Sequence, residues 1–111
     1  MPSTTGSLSG NSNNFTGHWN VEGYEAEFRG VFSQNVEHWQ SNATLEYDNV
    51  EDLVGTFSVG AEGLPSYIGN VDTSLTLTNQ AGKQIKITGP LLSPIPQRTT
   101  IAGHGVWSIR M

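Results

Sequence analysis

From Phe15 onward, apolar residues return at every second position, and this alternation limits the chain more than any other feature. A period of two belongs to strands with one buried and one solvated face, whereas a helix needs apolar residues every three to four positions. Phe15, Gly17, Trp19 and Val21 alternate with Thr16, His18, Asn20 and Glu22. Gly23 then permits a tight turn, and Tyr24, Ala26, Phe28, Gly30 and Phe32 continue the pattern against Glu25, Glu27, Arg29 and Val31. The two runs read as a hairpin. Ser33, Gln34 and Asn35 read as a turn. A third strand from about Glu37 places Trp39, Ala43, Leu45 and Tyr47 on one side and His38, Gln40, Asn42, Thr44 and Glu46 on the other.

The pattern continues with Leu53, Gly55, Phe57 and Val59 facing inward, followed by a long loop over 60–70. A second hairpin spans 71–88, with Val71, Leu75, Leu77, Ile85 and Ile87 inward and its turn at Asn79 to Gly82. Pro90, Pro94 and Pro96 remove backbone donors, so 89–97 is expected to cross between sheet edges rather than form a central strand. A last strand covers 99–110, with Ile101, Gly103, Gly105, Trp107 and Ile109 inward. About seven strands joined by Gly, Asn and Pro turns predict an all-β fold, a single-domain antiparallel β-sandwich or small β-barrel. At 111 residues there is room for one domain, assigned to 15–111. Residues 1–14, MPSTTGSLSGNSNN, carry neither the basic region nor the apolar run of a signal peptide and read as a flexible N-terminal arm.

The chain is polar but sparsely charged. Ser, Thr, Asn and Gln make up 36 of the 111 residues, against 14% charged residues. The net charge of -5 divides unevenly, -8 over residues 1–62 and +3 over 63–111. No dense basic stripe is present to favour nucleic acid, and no apolar run is long enough to span a membrane as a helix. The opposite signs of the halves allow neutralisation within one molecule or head-to-tail contact in a homo-oligomer. With no cysteine there is no disulfide, thiol nucleophile or cysteine-ligated zinc.

Residues with catalytic potential lack the spacing that catalysis requires. His18, His38 and His104 all fall on polar faces, but no HxH or HExxH spacing supports a metal site, and the reading is of a chain without metal or cofactor. Glu22, Glu25, Glu27, Glu37 and Glu46 sit on outward strand positions, where charge keeps a face soluble and discourages edge pairing, rather than forming an acid–base pair in a cleft. There is no Gly-x-Ser-x-Gly elbow and no glycine-rich phosphate loop leading into a helix. Asn14-Phe15-Thr16 and Asn42-Ala43-Thr44 match the N-glycosylation pattern at about the frequency that this composition produces by chance.

Gly17-His18-Trp19 resembles the Gly-x-Trp of the first strand in lipocalin and avidin-like barrels. Arg110, near the chain end, is placed to cover Trp19 by that resemblance, which spans three or four residues and implies a barrel. Parity assigns Trp19, Trp39 and Trp107 to the core, where their burial gain is large. The opposite face, with His18, Asn20, Glu22, His38, Gln40, Asn42 and Thr44, is the candidate ligand-binding surface if the first and third strands lie close together. The resulting expectation is a non-catalytic binding or assembly module contacting a glycan or a protein. The alternatives are a small-ligand, calycin-like barrel and an enzyme using a histidine with a glutamate.

Overall fold

A computed structural model of the chain describes residues 3–60, 66–96 and 98–110. Among them, ten strands form one antiparallel sheet: β1 (Ser3–Thr5), β2 (Ser7–Val21), β3 (Tyr24–Ser41), β4 (Thr44–Glu46), β5 (Gly55–Val59), β6 (Ser66–Ile68), β7 (Asp72–Thr78), β8 (Gln84–Pro90), β9 (Thr99–Ile101) and β10 (Gly103–Arg110). One turn of 3-10 helix spans Val50–Asp52. The path across the sheet is β1-β4-β8-β7-β5-β10-β3-β2, with β6 bridging β7 and β9. The fold is the expected all-β, antiparallel one, and the sheet curls into a half-barrel.

The curl starts in the long β2–β3 hairpin. Its turn is Glu22-Gly23, both with positive φ (53° and 87°), joining Val21 to Tyr24. A two-residue turn of this kind matches the twist of the flanking strands. Farther along, β2 advances only from Asn14 back to Gly10 while its partners on β3 run from Val31 to Trp39, with register shifts on both sides of Ser12. The surplus length on β3 bends the ribbon, as bulges do.

Beyond the bend, Leu8, Ser9 and Gly10 pair with Ser41, Gln40 and Trp39, and β1 continues the same register against β4, ending at Ser3 opposite Glu46. Gly6 N–H donates to Ala43 O (2.9 Å) and closes the gap between the two stretches. The Thr4 hydroxyl donates to Asn20 O (3.0 Å), so β1 returns to the far end of β2 and the two ends of the sheet path meet.

This geometry corrects the expectation of a flexible arm. Residues 3–14 lie in β1 and β2 apart from the linking Gly6, with Leu8 1% exposed, while Met1 and Pro2 fall outside the described residues. The inward positions of this stretch are filled from across the sheet. A side chain on Gly10 would strike the Trp39 indole, and one on Gly6 would strike the His18 carbonyl and the Trp19 ring.

The inner face is a continuous aromatic stack. Phe32 stacks on Phe15 (centroids 4.5 Å apart, planes 11° apart), Phe15 tilts against Phe28 (5.5 Å), Phe28 against Trp107 (5.0 Å) and Trp107 against Trp19 (5.7 Å). Such pairs contribute about 0.5–1.5 kcal/mol each beyond their burial. Leu45, Leu53, Leu75, Leu77, Ile85 and Ile87 complete the core.

Several local expectations differ from the structure. Ser33 to Asn35 do not turn but run through β3, held when Ser33 N–H donates to Ala102 O and Gln34 Oε1 accepts from Ala102 N–H. Val71 is 63% exposed, because β7 begins at Asp72 and its inward residues are Thr73, Leu75 and Leu77. Gly55 is exposed with φ of 81°. Pro90 ends β8, a strand paired on both sides, where the proline-containing segment was expected to lie outside central strands. The loop expected over 60–70 contains β6, and residues 61–65 lie outside the described residues.

Candidate functional site

All seven candidate residues sit on or beside the outer face, but they divide into separate neighbourhoods. His18, Asn20 and Glu22 lie at the hairpin end of β2, with Asn20 and Glu22 committed to structural bonds. The Asn20 side-chain oxygen accepts from Gly23 N–H (3.2 Å), closing the turn. The Tyr47 hydroxyl donates to Glu22 Oε2 (3.1 Å), and burial together with that carboxylate holds the phenol pKa above its ordinary value. His18 Nδ1 lies 3.5 Å from Glu27 Oε2, but the other oxygen of Glu27 takes Arg29 Nε at 2.6 Å.

Asn42 and Thr44 lie on the far side of β1 from that group. Thr44 Oγ1 is 3.2 Å from Thr5 Oγ1, so the intervening strand occupies the space in which the two clusters would meet. His38 and Gln40 stand apart again, on the bent part of β3. The Gln40 carbonyl accepts from Leu92 N–H (2.8 Å), while His38, within the bulged part of β3, opens toward residues 9–16 of β2. In the sheet the first and third predicted strands are separated, because residues 3–5 and 8–10 pair with the third, and the seven residues are not gathered into one site.

The histidines do not converge either. His18 faces Glu27, His38 residues 9–16 of β2, and His104 is paired with Val31 and Ser58 in the middle of the sheet. Among the described residues, no three His, Asp or Glu side chains come together. General acid–base catalysis needs partners within hydrogen-bond reach or one water apart. Among the described residues only His18 has a carboxylate within 4 Å, and Arg29 holds that carboxylate.

The residues that sequence reasoning missed face the bulge. Ser9, Asn11, Ser12, Asn14 and Thr16 line, with His38 and Phe15, a shallow open notch of about 350 Å³. Ser12 has φ of 57°, a left-handed conformation that is uncommon outside glycine and recurs at functional sites. Beside the notch, and sharing Asn14, Phe15 and Thr16 with it, a second depression of about 360 Å³ runs over Val31 and Val106 to His104. Its floor is the row Phe15, Gly30 and Gly105 across three strands. The run of Asn and Ser over 9–14 was the available signal, but composition of that kind also describes a solvated tail.

The tryptophans belong to the core. Trp19, Trp39 and Trp107 are 2%, 2% and 3% exposed, and the aromatic stack fills the space that a ligand would use. The Trp19 ring is met by Trp107 and the backbone of Gly6, and its Nε1 donates to Ala43 O (3.0 Å). Arg110 is exposed and stands opposite Glu25. No helix is long and apolar enough to cross a membrane among the described residues.

The two charge-biased halves meet within the molecule. Lys83 Nζ lies 2.7 Å from Asp48 and 3.5 Å from Asp52. Hydrogen bonding and the opposite charge push the Asp48 pKa down and the Lys83 pKa up. Lys86 stands opposite Glu46 between β8 and β4. No family model, characterised protein or solved structure matches the chain.

Proposed function

We propose that the protein is a non-catalytic all-β binding module that recognises a glycan through the polar outer face of its sheet. The observation that carries this reading is the partition of side chains. The three tryptophans and the phenylalanines are consumed by the core, leaving an outer face rich in Asn, Ser, Thr, Gln and His. Amides, hydroxyls and imidazoles are directional groups that can both donate and accept, as sugar hydroxyls require. A filled interior weighs against the small-ligand barrel, and dispersed histidines weigh against the enzyme.

A protein partner is the second reading, favoured by the exposed Val31 and Val106. The glycan takes precedence because protein interfaces are built on aromatic, Met and Arg anchors over roughly 800 Å² per side. The large exposed hydrophobics among the described residues are valines and one leucine, Val31 and Val106 on the paired strands β3 and β10 and the other three in connections between strands. A glycan array probed with labelled protein tests the proposal. Selective, saturable signal on neutral glycans is the expected outcome, and a blank array refutes it.

A further inference from the structure

We infer that the stretch of β2 facing the β3 bulge and the adjoining valine depression form one continuous subsite for a neutral oligosaccharide. This rests on the glycan-binding reading above and gives it a location and a ligand class. Three observations converge on the same stretch of chain.

The first is uncommitted hydrogen-bonding capacity. Among the described residues, no hydrogen bond engages the side chains of Ser9, Asn11, Ser12, Asn14, Thr16 or His38. Three asparagines outside the notch are put to structural use, Asn20 and Asn79 closing turns and Asn70 donating to Ile95 O and Pro96 O, while Asn35 and Asn42 are, among the described residues, unengaged like those of the notch. The notch therefore concentrates groups that the fold itself does not use.

The second is the charge of the lining. The notch contains no Asp, Glu, Lys or Arg. Arg29, at the edge of the neighbouring depression, is held by Glu27 at 2.6 Å. Phosphate and carboxylate ligands call for a free cation, so the chemistry matched here is that of an uncharged polyol.

The third is the pairing of two kinds of surface. The notch and the valine depression share Asn14, Phe15 and Thr16 and adjoin as one shallow, open surface with a polar and an apolar part. A sugar ring has the same division, with hydroxyls around its edge and C–H groups on its faces. An oligosaccharide laid across β2 would place hydroxyls among Asn11, Asn14 and His38 and a C–H face over Val31 and Val106. An extended peptide fits less well. Adding a strand needs a straight edge, and the register shifts around Ser12 break the outer edge of β2 at this point.

The test is titration of the 15N-labelled full chain with neutral hexasaccharides of glucose, mannose, xylose and N-acetylglucosamine, followed by amide chemical shifts. The expected result is saturable shifts confined to residues 9–16, 29–31, 38 and 104–106 with at least one probe. The double variant Asn11→Ala, Asn14→Ala should weaken binding at least about tenfold, equivalent to about 1.4 kcal/mol. Asn42→Ala, on the other side of β1, should leave affinity unchanged. Both variants replace exposed side chains, so an unaltered amide spectrum away from the substitution verifies the fold. Saturable shifts confined to 18–22 and 42–44 overturn the bulge subsite while leaving the glycan-binding module standing. The absence of saturable shifts with every probe overturns both, as does a response only to an extended polar peptide added as a control.

Discussion

Removing residues 1–12 should cripple the fold, although the polarity of that stretch would predict no effect. The deletion takes away β1 and the start of β2, and with them three kinds of contact. Leu8 is 1% exposed, and truncating a buried leucine to alanine costs about 2–5 kcal/mol. The antiparallel ladder between residues 3–10 and 39–46 is lost, leaving one edge of β4 unpaired, at about 0.5–1.5 kcal/mol net for each hydrogen bond removed. The backbones of Gly6 and Gly10 lie directly on the Trp19 and Trp39 indoles, so both rings gain exposure. A domain of this size has about 5–15 kcal/mol in total. These losses together approach that amount.

The single substitution Leu8→Ala gives a graded version of the same experiment. A cost of about 3 kcal/mol, at about 4 °C for each kcal/mol, lowers the melting midpoint by about 12 °C. Urea denaturation read by tryptophan fluorescence and far-UV circular dichroism measures both variants. The deletion should yield a chain that is largely unfolded or molten at room temperature. If the deletion leaves the urea midpoint unchanged and Leu8→Ala shifts it by less than about 0.5 kcal/mol, β1 and early β2 are not part of the cooperative structure. The closed path through Thr4 and Asn20 would then be wrong.

Three other perturbations have defined outcomes. Trp19→Ala should cost about 3–5 kcal/mol through the cavity it leaves. Its lost hydrogen bond should add little, because Ala43 O keeps the Gly6 donor; a near-neutral urea midpoint would place the ring outside the core. Because the Asp48 pKa is lowered in the folded chain, its pairing with Lys83 stabilises above the unfolded carboxylate value near about 3.9 and is lost as pH falls through the folded value. A carbon-13 NMR titration should find the Asp48 midpoint rising in Lys83→Met, and an unmoved midpoint would mean the pair is not formed in solution. Since the late cations already have acidic neighbours within the chain, sedimentation velocity should be unchanged between low and high salt. A heavier species only at low salt would instead indicate pairing between copies.

Legibility in the sequence followed which strand supplies the core volume. Residues 15–32, 43–47 and 73–87 announce themselves because each inward position carries its own apolar side chain, with the exceptions of Gly17, Gly30 and Thr73. Residues 3–10 do not, since their inward positions are Gly6, Leu8 and Gly10 and the volume there comes from Trp19 and Trp39 on other segments. The bulge hides the pattern further by switching parity. Inward residues are even-numbered up to Gly10 and odd-numbered from Phe15, while on β3 they are even-numbered to Val36 and odd-numbered from Trp39. A pattern search that holds parity fixed reads both switches as breaks, which is how one continuous hairpin became an arm, a turn and three shorter strands. The candidate surface suffered the same way. His38 was visible as a polar-face residue, but its neighbours Asn11 and Asn14 lay in the stretch that parity had discarded.

The charge distribution and the proposed site are two sides of one arrangement. Lys83 meets Asp48 and Asp52, Lys86 stands opposite Glu46, Arg110 opposite Glu25, and Arg29 holds Glu27. Arg98 lies over the Tyr67 ring, 3.8 Å from its centroid, and the hydroxyl of that tyrosine donates to Asp72. Opposite charges facing each other on neighbouring strands favour the correct pairing and penalise slipped ones, so the sparse ionic groups help to specify strand order. Once they are used in that way, the stretch of β2 facing the β3 bulge keeps uncharged polar side chains with no hydrogen bond among the described residues. A site built there costs the sheet little, because the bulge already interrupts the ladder and those side chains carry none of the packing. Selectivity must then come from the placement of amide, hydroxyl and imidazole groups rather than from charge, and binding should be nearly insensitive to salt over the range in which ion pairs are screened.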